Sequence, residues 1–462
     1  MLTFFLQSLN TRSTMLIGLE TCLILCSIAL ATSLSLGAPA TLSTMGSAGG
    51  VLKAILIALI CQACLYYHDL YDLRIIADRR ELFARTFHAL AAASLILAAV
   101  YFVLPDLGIG EGVVIAAAVF VTATIPGWRV AFDAVARRAA PRERLLIVGT
   151  SAAAVSLAAE LTDRRSVLGL EIVGFVSDDA TATGFGRLLG RIRDIPAIVR
   201  ARNIDRVVVS LSDARGTLPM DALLEMKMSG VRFDYLASIY ERYTGKIAVE
   251  NLRPSWLIFS AGFRTTPRVL AVKRSIDIVV ASVGLILALP IMGLVAAAVK
   301  ATSAGPALYH QRRVGERGST FMVHKFRSMR ADAERTSGAV WSRSGDDRVT
   351  PLGRWIRATR LDELPQIWNI LRGEMSIVGP RPERPEFIQQ LSDEIPYYNQ
   401  RHMVKPGLTG WAQVRYPYGS SVEDAMQKLQ YDLFYIKHMT IAFDLFVLFA
   451  TVKTVILRRG AQ

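Results

Sequence analysis

Asp362 and Glu363 stand side by side in the stretch ATRLDELPQIWNILRGEMSIVGPRPER, residues 358–384, with arginines on both sides of them. A carboxylate can attack phosphorus or hold a metal ion, and a guanidinium fork matches phosphate oxygens two at a time. Leu361, Leu364, Ile367, Trp368 and Leu371 recur at helical spacing, with Pro365 tolerated only in a first turn. This pattern predicts a helix with Asp362 as its N-cap, where the helix dipole favours a carboxylate and a bound phosphate. Neighbouring helical residues point in different directions, so the two acids are expected to divide the work, one attacking phosphorus and the other holding a metal ion. A cap followed by a first-turn acid is also ordinary helix chemistry, so the surroundings have to carry the argument.

Those surroundings are basic. The segment YHQRRVGERGSTFMVHKFRSMR contributes Arg312, Arg313, Lys325 and Arg327, GRWIRATR contributes Arg354, Arg357 and Arg360, and VGPRPER contributes Arg381 and Arg384. Guanidinium groups clustered beside a membrane segment read as phosphate binding, with anionic lipid headgroups as a second use for some of them. No segment resembles a nucleic-acid module, so no nucleic-acid partner is expected.

The elements that must hold these residues can be read from composition and periodicity. The chain has 462 residues, 52% hydrophobic, with a formal charge of +14, which suits a membrane protein with water-facing parts. Apolar segments at about 14–36, 50–68, 86–104 and 112–132 each approach the ~20 residues that cross a bilayer core, predicting a four-helix transmembrane bundle over 1–135. Arg74, Arg79, Arg80 and Arg85 lie between the second and third segments, and Arg137, Arg138, Arg142 and Arg144 follow the fourth. The positive-inside rule puts both ends of the bundle in the cytoplasm. All four cysteines, Cys22, Cys26, Cys61 and Cys64, fall in apolar runs, so the C-x-x-C at 61–64 is read as packing and no disulfide framework exists. The N-terminus lacks the short apolar core and cleavage site of a secretory signal.

From Pro141 the pattern changes to short apolar strands, RLLIVG, EIVGFV, DRVVVSL and VRFDYL, separated by charged helical stretches, which predicts a Rossmann-like α/β domain over 141–240. Its first turn, GTSAAA, keeps Gly149 alone where a dinucleotide fingerprint has three glycines, so the domain is read as structural or regulatory. Asp178 and Asp179 are read as turn residues. Residues 241–270 form a linker, and 271–462 a mainly α domain. Within it, Ile278–Val299 is a run of 22 uncharged residues with Pro290 near its middle. A simple span would put Arg312, Arg313, Arg317, Lys325, Arg327 and Arg330 on the far side, against the positive-inside rule. A re-entrant helix-break-helix hairpin over 276–300, bent at Pro290, avoids this. The last apolar element, TIAFDLFVLFATVKTVILRR, carries Asp444 and Lys453 and is read as an interfacial amphipathic helix.

At this point the residues resemble the bacterial sugar transferases, the polyprenyl-phosphate glycosylphosphotransferases. The resemblance runs over about 270–460 through VKRSIDIV, GPALYHQRRVGERGSTFMVHKFRSM, TRLDELPQIWNILRGEMSIVGPRPE and VKPGLTGWAQV. The N-terminal bundle and degenerate Rossmann-like domain look like the large, monotopic phosphoglycosyl transferase form. YERYTGKIAVENLRPSWLIFSAGF resembles the subgroup associated with exosortase-type exopolysaccharide loci. The resemblance implies transfer of a phosphosugar from a UDP-sugar, glucose or galactose, to undecaprenyl phosphate with release of UMP, at the cytoplasmic face of the bacterial inner membrane. It implies Asp362 as nucleophile, Glu363 as the Mg²⁺ partner, Arg357 and Arg381 as phosphate clamps, and Lys325 and Arg327 in a basic KFRSM stretch. Besides undecaprenyl phosphate, the UDP-sugar and membrane lipids, a homodimer through the N-terminal parts is a candidate partner. Two competing readings are a membrane-tethered sugar-nucleotide oxidoreductase or epimerase built on 141–240, and a non-enzymatic assembly scaffold.

Overall fold

The computed structural model describes residues 11–37, 39, 41, 43, 46–71, 79–109, 111–139, 143–163, 170–178, 187–210, 220–249, 252, 254–263, 265–330, 333, 346–416, 419 and 421–456. Asp179, Arg74, Arg142 and the last residues of the terminal apolar element lie outside them. The chain divides into two compact units, Met1–Tyr235 and Leu236–Gln462.

The first unit opens with four long helices, α1 (Thr11–Leu36), α2 (Ala48–Tyr67), α3 (Arg79–Val103) and α4 (Glu111–Ala139). Each contains a stretch long and apolar enough to cross a membrane. They bury Ile24, Ile28 and Ala31 of α1, Ala54, Ile57, Ala58 and Cys61 of α2, Ala89 and Ala93 of α3, and Val113, Ala117 and Val121 of α4 in one core. The spacing of three and four makes one face per helix, and the small residues let backbones approach. Cys61 and Cys64 are free thiols in that core. Glu20 and Arg129, both fully buried, pair at 2.6 Å across α1 and α4, so neither charge is left alone among apolar side chains.

A five-stranded parallel sheet follows, in the order β3-β2-β1-β4-β5. Its strands are β1 (Glu143–Val148), β2 (Leu170–Val176), β3 (Leu188–Gly190), β4 (Arg206–Val209) and β5 (Arg232–Tyr235), and helices α5 (Ala152–Asp163), α6 (Ile195–Arg202) and α7 (Met220–Met228) fall between them in the chain. The expected Rossmann-like sheet is present with one strand more than the sequence suggested, because three residues are too few for a period-two pattern to register in β3. Gly149 has a φ of 99° where the chain leaves β1, and its amide donates to Val176 O at 2.8 Å. Asp178 accepts a hydrogen bond from the Ile192 amide at 3.1 Å, fourteen residues on in the chain.

The second unit begins with α8 (Leu236–Thr244) and α9 (Pro254–Phe259) and continues with α10 (Pro267–Thr302), a helix of 36 residues. The break expected at Pro290 is absent: the helix runs without interruption through the proline. A proline removes one hydrogen bond and crowds one turn, which a long apolar helix with both ends anchored can absorb. At its start Lys273 Nζ binds Asp444 Oδ2 at 2.7 Å and Val378 O at 3.0 Å, and Arg274 caps the carbonyls of Ile370 and Leu371 at 2.6 and 2.8 Å. At its end Val295 and Val299 pack on Phe326 and Ile356. Lys273, Asp277, Ala281, Ala288, Val295 and Val299 form one buried stripe, while Val279, Val283, Ile286, Leu287 and Leu294 stay exposed.

The remainder is a small, mainly helical scaffold. An antiparallel hairpin, β6 (Leu308–Val314) and β7 (Thr320–Phe326), leads to α11 (Pro351–Ala358), a 3₁₀ turn Leu361–Glu363 and α12 (Gln366–Arg372). Then come β8 (Ser376–Val378), α13 (Pro385–Glu394), a 3₁₀ turn Tyr398–Met403, β9 (Gly407–Thr409) parallel to β8, α14 (Trp411–Arg415), α15 (Val422–Lys437) and α16 (Ile441–Ile456). In α16 the charge that suggested a polar outer face points inward: Asp444 is buried on Lys273 and Tyr435. Leu445, Phe449 and Val452 form the exposed stripe instead. The helix is therefore apolar on its outer side, because Asp444 finds its counter-charge within the unit.

Candidate active site

The acid pair sits on a tight turn rather than at a helix cap. Arg360 takes a left-handed φ of 59°, Leu361–Glu363 make one 3₁₀ turn, and α12 begins only after Pro365. The expected continuous helix with Asp362 as N-cap is thus replaced by a 3₁₀ turn and a short α-helix. The proline has no amide to donate, so the chain starts a fresh helix behind it. The turn buries both acids: Asp362 is 7% and Glu363 8% exposed.

Glu363 is held by cations. Arg381 Nη2 donates to its Oε1 at 2.6 Å, Lys325 Nζ lies 3.4 Å from the same oxygen, and Arg360 Nη1 3.9 Å. Burial alone would push its carboxyl up, but Arg381 and Lys325 hold it far below the ordinary carboxylate range. Asp362 goes the other way. Burial raises it first and the Glu363 charge second, against Lys325, Arg357 and Arg360. Its Oδ1 is buried with no hydrogen-bond partner among the described residues. Burial pushes Lys325 down to about 8, Glu363 opposing and Arg381 and Arg313 adding to it.

Each side chain arrives by a traceable route. Asn369 of α12, fully buried, accepts from the His324 amide at 3.2 Å and donates to Met322 O at 2.7 Å, which lays β7 beside the turn and delivers Lys325 to Glu363. Thr350 caps α11 through the Gly353 amide at 2.9 Å, and a Cβ on Gly353 would fall 1.9 Å from Ser328 O, so glycine lets α11 close on that strand end. Across the same approach Arg357 Nε donates to Ser328 Oγ at 2.8 Å. Arg381 comes from the Gly-Pro-Arg-Pro turn behind β8.

Of the residues singled out in the sequence, Asp362, Glu363, Lys325 and Arg381 form one cluster, with Arg357 acting on Asp362 through its charge. Arg327 is elsewhere. It is buried and donates to Ser303 O, Ser303 Oγ and Ala304 O at 2.8 Å each, closing the C-terminal end of α10. Carbonyls at a helix end attract a cation, and this use occupies its fork. Pro290 lies inside α10. Arg360, counted in sequence only among the basic residues, joins the cluster through its left-handed backbone, and Ser328 and Asn369 carried no signal because their work is to bond main chain and guanidinium. Among the described residues no three His, Cys, Asp or Glu side chains group as a metal site. The carboxylates present do suit Mg²⁺, which is commonly held by one or two carboxylates plus substrate phosphates. Among the described residues Asp362 Oδ1 has no hydrogen-bond partner, and the side-chain hydrogen bonds to Glu363 end on Oε1.

Comparison with known proteins places this geometry in context. Residues 268–458 match the family model for a bacterial sugar transferase, and 67–228 match one described as a CoA-binding domain. The chain is 38% identical over 228 residues to a UDP-N-acetylgalactosamine-undecaprenyl-phosphate N-acetylgalactosaminephosphotransferase of Aeromonas hydrophila, covering 49% of this chain and 53% of that protein. It is 35% identical over 327 residues to an undecaprenyl-phosphate glucose phosphotransferase of Komagataeibacter xylinus, covering 69% and 60%. With a UDP-glucose:undecaprenyl-phosphate glucose-1-phosphate transferase of Klebsiella pneumoniae the identity is 33% over 316 residues, 67% of each chain. The matched part thus spans between about half and two thirds of these relatives.

Proposed function

This chain belongs to the bacterial sugar transferase family, and from that premise we propose that it transfers a sugar 1-phosphate from a UDP-sugar to undecaprenyl phosphate, releasing UMP, as the initiating step of exopolysaccharide synthesis. The observation that carries the reading is Asp362: a buried carboxylate with a free oxygen, next to an acid already neutralised by Arg381 and Lys325.

In this reading Asp362 attacks the phosphorus that bears the sugar. An oxygen–phosphorus bond forms, the bond to the bridging diphosphate oxygen breaks, and UMP leaves. An oxygen of the lipid phosphate then attacks the same phosphorus, breaking the aspartyl bond and giving a lipid-diphosphate-sugar. Burial keeps water off Asp362, and Arg357 and Arg360 offer positive charge where the diphosphate's charge develops. Glu363, through its second carboxylate oxygen, would hold Mg²⁺, which would supply charge neutralisation on the leaving group.

Two features support a catalytic unit at the cytoplasmic face of a bacterial inner membrane. Both ends of α10 are tied into the same unit, the first through Lys273 and Arg274 and the last through Arg327, and the buried stripe between them keeps the unbroken helix against that unit. The exposed stripes of α10 and α16 are apolar, as a bilayer-facing surface requires.

Enzyme incubated with a panel of UDP-sugars and Mg²⁺ but no lipid acceptor should release UMP in amounts equal to enzyme and carry phosphosugar on Asp362. Asp362→Asn should lose both signals, a fall of at least about 10³-fold in turnover. Steady UMP release with no labelled protein would replace the two-step route by direct displacement, and the panel itself identifies the sugar.

A further inference from the structure

The Pro380-Arg381-Pro382-Glu383 turn delivers the guanidinium that grips Glu363, yet its two prolines have no amide with which to hold it. Its four carbonyls do that work. Pro380 O accepts from the Gly407 amide at 2.9 Å and Glu383 O from the Val314 amide at 2.9 Å. The two between them are taken by side chains: Arg381 O by Arg401 Nη2 at 3.0 Å, and Pro382 O by Arg313 Nη1 at 2.9 Å.

We propose that Arg401 and Arg313 are positioning residues for Arg381, fixing the turn so that its guanidinium stays on Glu363 beside the reacting acid. The proposal rests on the transferase reading for its kinetic consequence but not for its structural one. Arg401 is 5% exposed and its counter-ion Asp432 1%. They meet at 2.7 Å, and Arg401 Nη1 also donates to Tyr398 OH at 2.7 Å while its fork lies 5.2 Å from the Tyr398 ring centre. A buried ion pair of this kind is weak as a source of stability, whereas a planar fork can hold a counter-ion, a hydroxyl and a carbonyl in one fixed geometry. Arg313 is braced in the same manner: Nε and Nη2 sit on Gln311 Oε1 at 3.0 and 2.6 Å, leaving Nη1 for the carbonyl of Pro382. Arg313, read in sequence among the phosphate-binding arginines, thus serves the loop that carries another of them.

Lysine at either position keeps the charge and loses the fork. In the full-length protein, Arg401→Lys should lower kcat for UMP release about tenfold or more while KM for the sugar nucleotide moves less than about twofold, and the loss should shrink below about threefold when Arg381 is already lysine. Equal losses in both backgrounds would mean that Arg401 acts on the fold at large, and the proposal would fall. Arg313→Lys, on a less buried residue, should show the same dependence on Arg381 and serves if Arg401→Lys does not fold. Amide exchange across 376–384, which needs no substrate, should accelerate in both lysine variants; unchanged exchange would overturn the proposal even if turnover dropped. Absence of UMP release from any UDP-sugar by the unmodified protein would instead refute the transferase reading and leave the exchange result to judge the turn.

Discussion

Asp362 and Glu363 are neighbours in sequence and opposites in environment. One oxygen of Glu363 gathers Arg381, Lys325 and Arg360, while Asp362 keeps a buried oxygen without a partner among the described residues. The sequence offered both acids and the arginines, and reasoned that adjacent residues must differ. It could not say which cation serves which acid, because that depends on Asn369 drawing β7 across and on Ser328 turning Arg357. Arg327 shows the limit most clearly. Two positions from Lys325, it reads as a second phosphate ligand on the same face, but β7 ends at Phe326, and beyond the strand the chain leads Arg327 to the carbonyls of Ser303 and Ala304. Arg327→Gln should therefore leave KM for the sugar nucleotide within about twofold and lower the melting temperature, since the carbonyls of Ser303 and Ala304 would lose part-buried, charge-assisted bonds worth at most about 1.5–3 kcal/mol each. Lys325→Gln should do the reverse, cutting turnover with a smaller effect on melting. Kinetics and thermal melts on the same two variants check both halves, and a raised KM in Arg327→Gln would restore it to the phosphate site.

At the scale of elements, hydrophobic runs long enough to span a membrane and the alternation of strand and helix were legible, since each depends on periodicity that the chain displays openly. Turns were not. The 3₁₀ turn at 361–363 depends on a left-handed Arg360, and the inward Asp444 depends on Lys273 more than a hundred and fifty residues away in the chain. The 3₁₀ turn Tyr398–Met403 is a further case, because it carries Arg401 and next to it His402. Burial, with the neighbouring Arg401 charge, pushes the His402 imidazole down to about 4 from the ordinary 6.5. The unfolded chain then binds a proton between those values that the folded chain refuses. Stability from this group is complete above pH 6.5 and is lost as pH falls toward 4, at most about 3 kcal/mol. Melting temperature of the purified protein should drop over that window, and His402→Gln should flatten the drop. An unchanged slope in the variant would assign acid sensitivity to other groups.

For the whole molecule, the division at Tyr235 and Leu236 leaves every residue of the candidate site in the second unit, and the first unit offers a bundle and a parallel sheet whose first turn has a single glycine. That arrangement argues against an oxidoreductase centred on the sheet, because Thr150 and Ser151 occupy the close-approach positions that a pyrophosphate needs bare. It also makes topology the decisive property. Among the described residues five helices are long and apolar enough to cross, and an odd number of full spans would separate the basic residues after α10 from those before it. Ala304 and Ser303 are bound to Arg327, and Lys273 and Arg274 are bound to residues 370–378 and 444 of the same unit. If that unit lies on one side of the membrane, both ends of α10 and the buried stripe between them lie on that side, and only the exposed apolar side of the helix meets the bilayer. A single cysteine placed at exposed Gly305, in a variant lacking the four native cysteines, should stay unlabelled by a membrane-impermeant maleimide in intact cells and react after permeabilisation. A cysteine in the short connection at residues 105–108 should show the opposite pattern, and labelling of both from outside would make α10 a fifth span and put the acid pair beyond the reach of cytoplasmic sugar nucleotides.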